Sequence, residues 1–486
     1  MKGKLIIIQF YDVSKFFDKE MIEDGVLVCL KRGADPKAAR LWYKLNQDTR
    51  IEVRLPGLGL SKRENVGAVV GQGTIGGALV SQAVLDDGAM EHFPPGSDRH
   101  LRYGSVPLAP FMFQDDLING TEGLAQARET NRWVNCLMKE RGLQLNKDKS
   151  VFMIVGSKRQ RQLMQQEIEV DPLMCGNFET KEAQLGKWLG QVFSALGLAD
   201  SVSKTVSARV GKIKAACMEI TQIVNDWRSQ AVGGMVTALV LWEACCIPSF
   251  IHGAGTWVEI STQTGRQLNN IQFWFLRLAL QVGPGAPKLS LLWDMGILDM
   301  GLRVWIEKAM LALHVKRLDE GSLARRMYEE QVSNQWPGLA HEVDKICQEL
   351  GVENAGTTKL NKTVYRRKLV TACHAKNQER IKSECEGKRK CERILTGKYG
   401  RKNYVDNAQV NHVRDTYRAR FGLLPFAGNF KNDKRFSGSG GLCRCKRVFE
   451  DEPHLLSGKC DVFGEIRGKY GELKDDESLV SFLMKY

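Results

Sequence analysis

The sequence has no apolar run long enough to cross a bilayer. The longest, Ala231 to Trp242, ends at Glu243 after twelve residues, against about 20 needed for a span. It also lacks an export signal: Leu5-Ile6-Ile7-Ile8 follows a basic start, but Gln9 interrupts the run and no small-residue cleavage site follows. That stretch reads as a buried strand. No internal repeat is visible, which excludes solenoids and propellers. Histidines number 8, and His92 and His252 stand in no ligand pattern. A disulfide framework is absent too, because the 13 cysteines are odd in number and mostly single within apolar segments, as in a reducing compartment.

What is present is an ordinary soluble composition with an excess of base. At 486 residues, 43% hydrophobic and 26% charged, the chain suits about three domains of ~150 residues each. Lys and Arg number 70 against 56 Asp and Glu, a net charge of +14 that calls for a polyanionic partner, nucleic acid or an acidic membrane surface. From Lys359 to Lys402 there are fifteen basic residues against four Glu, a net +11 in 44 residues, leaving +3 for the other 442. This block, with its run Lys388-Arg389-Lys390, reads as a basic, partly helical connector. Upstream, Leu5–Val13, Arg50–Leu55, Phe111–Ile118 and Val151–Val155 read as strands among helical periodicity. Residues 196–350 read as helical, with Ile271, Phe275, Leu278 and Val282 on one face.

Two strands carry carboxylates where a structural strand would avoid them: Ile6 to Asp12, and Phe111 to Ile118 with Asp115-Asp116 between apolar flanks. A buried, unpaired carboxylate loses its hydration, so a positive partner is required. Mg²⁺ takes one or two protein carboxylates and fills its other positions with water and phosphate. Two such ions ~3.5–4 Å apart clamp the attacking and leaving oxygens of a phosphoryl transfer. The plain alternative is a hairpin turn. Of the other Asp-Asp pairs, Asp86-Asp87 precedes Gly88 and Asp475-Asp476 lies in a polar run, and both read as surface turns.

Five segments in order extend this pattern: Phe10-Tyr11-Asp12 through Phe16-Phe17-Asp18; Gly71-Gln72-Gly73; Phe113-Gln114-Asp115-Asp116; Gly142 through Lys149-Ser150; and Lys187-Trp188-Leu189-Gly190. Together they resemble the palm motifs of non-LTR (LINE-type) retrotransposon reverse transcriptases. The resemblance implies an α+β polymerase palm, an antiparallel sheet backed by helices, and RNA-directed DNA polymerase activity with RNA template, DNA primer and dNTPs as partners. It implies Asp12 and Asp115 as ligands of two catalytic Mg²⁺, with Asp116 as the supporting member of the doublet. Lys149 matches the lysine that neutralises or protonates the pyrophosphate leaving group; its alternative is a solvated charge. Phe17 matches the bulky residue that collides with a ribonucleotide 2′-OH, or else is a core Phe. Gln72 and Gly73 match the segment contacting nucleotide and template, or else form a surface turn. Leu189-Gly190 matches the primer-grip hairpin, and Asp18 carries no chemistry.

By the same resemblance, residues 1–195 form the palm, 196–350 a helical thumb-like region, 351–436 the basic connector and 437–486 a small zinc module. The last contains Cys443-Arg444-Cys445, His454 and Cys460. Three thiolates and one imidazole suit tetrahedral Zn²⁺, although the initial C-x-C is tighter than the usual two to four intervening residues. Only eleven residues precede Asp12, too few for the family's fingers and endonuclease, so the resemblance implies a 5′-truncated copy, with nuclear residence. Two other functions compete. One is an inert nucleic-acid-binding relic using connector and zinc module. The other, a metal nuclease, lacks a His or Lys beside the carboxylates for general-base work.

Overall fold

The computed structural model describes residues 5–14, 22–47, 50–52, 54–55, 59–62, 64–65, 77–92, 101–225, 232–258, 260–386, 394, 398–421, 423 and 460. These form two compact units: Met1–Thr205 with Leu318–Trp336, and Val206–Arg317 with Pro337–Tyr486. At the coarse level the chain is mixed α+β. Phe17, Gln72, Gly73, Lys388-Arg389-Lys390, Cys443, Cys445, His454 and Asp475-Asp476 lie outside the described residues.

The first unit is built on a five-stranded sheet. Its strands are β1 (Ile6–Asp12), β2 (Phe111–Phe113), β3 (Asp116–Thr121), β4 (Val151–Val155) and β5 (Lys181–Glu182), in the order β5-β4-β1-β3-β2. β1 is central and buried on both faces, with Ile7, Gln9, Phe10 and Tyr11 all inaccessible, which is why its sequence is nearly continuous apolar. The period of two sorts its side chains. Ile7, Gln9 and Tyr11 face the helix layer, whereas Phe10 packs with Ile118, Met153 and Phe193 on the opposite face. Four helices precede or follow β2 and β3: α1 (Ile22–Lys31), α2 (Pro36–Asn46), α3 (Gly77–His92) and α4 (Leu124–Glu140). α4 buries Leu124, Ala127, Asn131, Val134 and Met138, a three-to-four-residue stripe that closes over the sheet. α5 (Lys158–Val170) starts at a capping box of Ser157 and Gln160.

Three features differ from the sequence reading. The sheet is mixed, since β4 pairs β5 in parallel, Val151 with Lys181 and Phe152 with Glu182; α5 and a short hairpin between them provide the crossover a parallel pair needs. Asp86-Asp87 is not a turn but lies inside α3. Gly88 continues that helix because it is packed against α4, where an added Cβ would come within 2.3 Å of Leu137. Two segments read as single strands are divided: Arg50–Leu55 into Arg50–Ile51 and Arg54–Leu55, and Phe111–Ile118 into Phe111–Phe113 and Asp116–Thr121, which fold back on each other.

After α5 the chain forms a second ribbon, β6 (Leu185–Trp188) and β7 (Gln191–Ser194), closed by the two-residue turn Leu189-Gly190. Both turn residues have positive φ, 46° and 74°, the primed hairpin geometry that matches strand twist. The ribbon lies against the Phe10 face. At Gly186 an added Cβ would fall 2.3 Å from the Phe10 ring, so only glycine lets the two backbones approach.

The second unit is helical. Its elements are α6 (Leu198–Asn225, from Val206 onward), α7 (Gly234–Leu241), a π-helical turn at Trp242–Cys246, α8 (Ile247–Phe250), α9 (Thr262–Leu280), α10 (Lys288–Met295) and α11 (Met300–Lys316). α12 (Leu323–Ser333) belongs to the first unit; α13 (Leu339–Leu350), α14 (Lys362–Cys385), α15 (Asn403–Asn407) and α16 (Val410–Arg420) return to the second. Trp242 stacks on Phe275 with centroids 4.8 Å apart, both fully buried, and each such side chain contributes about 1.5–3 kcal/mol. α14, within the basic block, buries Tyr365, Leu369, Cys373, Ile381 and Cys385. Its Arg366, Lys368, Lys376 and Arg380 are paired with Glu307, Glu353, Glu349 and Asp299. No helix among the described residues is long and apolar enough to cross a membrane.

Candidate active site

The carboxylates converge because of strand register. β1 and β3 run antiparallel with Asp12 directly opposite Asp116, so both side chains leave the same face at the same end of the sheet. β2 and β3 form a hairpin whose two-residue tip is Gln114-Asp115, one residue earlier than the Asp-Asp pair itself. Gln114 sits at φ 56°, an uncommon conformation for a residue with a Cβ. Two contacts hold it there: its N–H donates to Gln82 Oε1 at 2.9 Å, and Gln82 Nε2 donates to the Met112 carbonyl at 3.2 Å. Val13 N–H donates to the Asp115 carbonyl at 3.0 Å, tying the tip to the end of β1.

The segment after α4 is stitched to the same point. Ser14 N–H donates to Gln144, and Asn146 N–H donates to the Asp12 carbonyl at 2.8 Å. Asn146 Oδ1 accepts from the Asp148 N–H at 3.1 Å, an Asx turn. This turn delivers Lys149, whose Nζ lies 3.2 Å from Asp12 Oδ1. The Lys149 side chain is 66% exposed and Asp12 20%, so the pair is a surface contact worth about 0–1 kcal/mol and Lys149 can readily exchange partners.

Asp116 has its carboxyl held above the ordinary range. Burial is the main cause and the Asp115 charge the second; Asp12 pushes the same way, while a backbone hydrogen bond from Leu189 and the Lys149 charge oppose them. The β6/β7 turn therefore reaches the Asp116 carboxylate.

Neither a family model nor a curated protein matches this chain.

Geometry alone thus decides what the site can hold. Among the described residues no group of three or more His, Cys, Asp and Glu side chains is placed to hold a metal ion by itself. Mg²⁺ takes only one or two protein carboxylates, with phosphate and water completing its shell. The residues present fit that smaller demand: Asp12 and Asp116 are opposite each other on neighbouring strands with Asp115 in the adjoining turn, close enough that Asp12 and Asp115 both disfavour ionisation of Asp116. Asp12, Asp115, Asp116 and Lys149 are brought together. Of the zinc set only Cys460 is described, and it is buried.

Sequence reasoning missed the support beneath the site. Gln9 Nε2 donates to Asn131 Oδ1 at 2.8 Å and to the Ala127 carbonyl at 3.0 Å; Tyr11 Oη donates to the same Asn131 oxygen at 2.5 Å. Asn131 Nδ2 in turn donates to the Met174 carbonyl. Burial pushes the Tyr11 hydroxyl far up, so it stays a donor. Gln9 and Tyr11 share a strand face, and polar residues two apart in an apolar strand were the available signal. Gln82 gave no signal of its own.

Proposed function

We propose that the first unit is a reverse-transcriptase palm that extends a DNA primer on an RNA template. The supporting observation is the register that sets Asp12 against Asp116, with Asp115 in the adjoining turn and Lys149 on Asp12. Like charges placed directly opposite on one sheet face are destabilising, and a cation-dependent reaction explains their retention. Asp12 and Asp115 would hold Mg²⁺, which when bound supplies a Lewis acid for the transferred phosphoryl group. Asp116 backs that pair. Lys149 moves from Asp12 to the departing pyrophosphate and neutralises or protonates it. Phe17 excludes a 2′-OH, Gln72 and Gly73 contact nucleotide and template, and the Leu189-Gly190 turn steadies the primer end. Cys443, Cys445, His454 and Cys460 would hold one Zn²⁺ in a nucleic-acid-binding module, and nuclear residence accompanies this function.

The test is primer extension on poly(rA)/oligo(dT) with Mg²⁺. Wild type is expected to extend, and Asp115→Asn to lose at least about a hundredfold in rate. Absence of extension from both, with template still bound, would replace the polymerase by an inert nucleic-acid-binding protein.

A further inference from the structure

The second unit contains a groove that collects three cations and a tryptophan. It has a volume of about 590 Å³ and is bounded by Lys214 on α6, by Asn270, Trp274, Arg277 and Gln281 along α9, and by Lys288 at the start of α10. Positions 270, 274 and 277 are spaced by four and three residues, one helical stripe, and Gln281 follows as the left-handed C-cap; Phe275 and Ala279 pack into the core, while Ile271 also reaches the groove wall. Lys214 and Lys288, from neighbouring helices, join Arg277 around the groove that Trp274 lines.

No Asp or Glu lines this groove, and among the described residues Lys214, Arg277 and Lys288 make no ion pair. Lys214 Nζ lies 5.6 Å from the Trp274 ring centroid, and Lys288 Nζ lies 5.4 Å from that of Phe273 and 3.0 Å from Asn270 Oδ1. Arg277 donates to the Ala286 carbonyl, leaving its Nε buried with no hydrogen-bond partner. The larger cavity of the same unit, about 860 Å³, is the contrast: its Arg303 and Arg366 are neutralised by Glu243 and Glu307. Converging cations left without acid are a poor structural solution and a good one for phosphate.

We propose that this groove binds single-stranded nucleic acid, stacking one base on Trp274 and placing the flanking phosphates on Lys214 and Lys288. Trp274 is half-buried and sized for a base, with the Lys214 ammonium over its ring; an aromatic ring in a groove that also collects cations is the arrangement that single strands need. Duplex is disfavoured because its bases are already stacked. The groove's amides, Asn270 and Gln281, are secondary to its ring and cations, Asn270 Oδ1 already accepting from Lys288, so RNA and DNA are expected to bind alike. The inference extends the nucleic-acid partner of the palm to a second site without catalysis, and rests on that proposal only for the class of partner.

The test is fluorescence anisotropy of labelled oligo(U), oligo(dT) and a matched duplex with the full chain, in both wild-type and Asp115→Asn backgrounds. Trp274→Ala should weaken both single strands about tenfold or more, with Trp274→Phe retaining most of the affinity and both variants melting like wild type. Lys214→Ala with Lys288→Ala should lower the slope of log affinity against log salt by about 1.4. An effect of Trp274→Ala confined to one strand type would identify that strand as the occupant. Unchanged affinity in Trp274→Ala, equal loss on duplex, or sensitivity to the lysines alone would overturn the proposal. Loss at Trp274 without primer extension would sink the polymerase and leave this site standing, and the reverse result would do the opposite.

Discussion

The two units surround a carboxylate with different company. In the second unit Asp294 is wholly inaccessible, and burial holds its carboxyl above the ordinary range, but a guanidinium opposes that rise: Arg420 Nε is 2.7 Å away and the Tyr404 hydroxyl donates at 2.8 Å. In the first, Asp12, Asp115 and Asp116 gather at a strand end with one exposed lysine for company. A fold that needs a buried acid supplies its cation from within. At the strand end the neighbours of Asp116 are two further carboxylates, and its carboxyl is held up by burial and by their charge with only an exposed lysine and a backbone N–H opposing.

The largest expected effect breaks the internal solution. Asp294→Ala strands Arg420, whose side chain is only 9% exposed, and should cost the second unit about 3–5 kcal/mol, read as a lower midpoint in urea. Asp116→Asn tests the other side and should do the reverse. Its raised carboxyl means that ionisation penalises the fold: the penalty is absent below the ordinary carboxylate range and complete once pH has risen through the raised value. At neutral pH the Asn variant should therefore melt about 1–2 °C higher than wild type without metal, with the gap closing as pH falls. An equal or lower melting temperature would show that the doublet is structurally satisfied after all. The smallest effect concerns His374, whose imidazole is held below its usual value by burial first and the Arg303 charge second. Its neutral form is the folded one, so stability is present above a pH of about 6.5 and declines as pH falls below it. His374→Gln should flatten that decline by under about 1 kcal/mol, measured by thermal melts between neutral and mildly acidic pH.

Strand content at the site was legible because burial on both faces leaves a plain apolar signature: Val151–Val155 is a strand over its whole length and β1 is shorter than its reading by one residue at each end. The convergence of Asp12 with Asp115-Asp116 was legible from the ordered motifs, whereas their register was not, since pairing depends on partners a hundred residues away. Asp86-Asp87 misled because Gly88 looks like a turn residue until its contact with Leu137 is seen. The polar layer of Gln9, Tyr11 and Asn131 and the Gln82 brace are products of tertiary packing. The periodicity legible in the sequence ran through Ile271, Phe275, Leu278 and Val282; the groove that Trp274 lines, and that no acid faces it, could be learned only from the fold.

Gly186 carries a consequence for how force and acidity are coupled. Its bare Cα rests on Phe10, a core residue of the central strand that has no room to withdraw. One added carbon would lift the whole β6/β7 ribbon, and the ribbon's turn is what donates a hydrogen bond to Asp116 through Leu189. The missing methyl is therefore part of the site: any side chain at 186 would push on the ribbon whose turn steadies the Asp116 carboxylate.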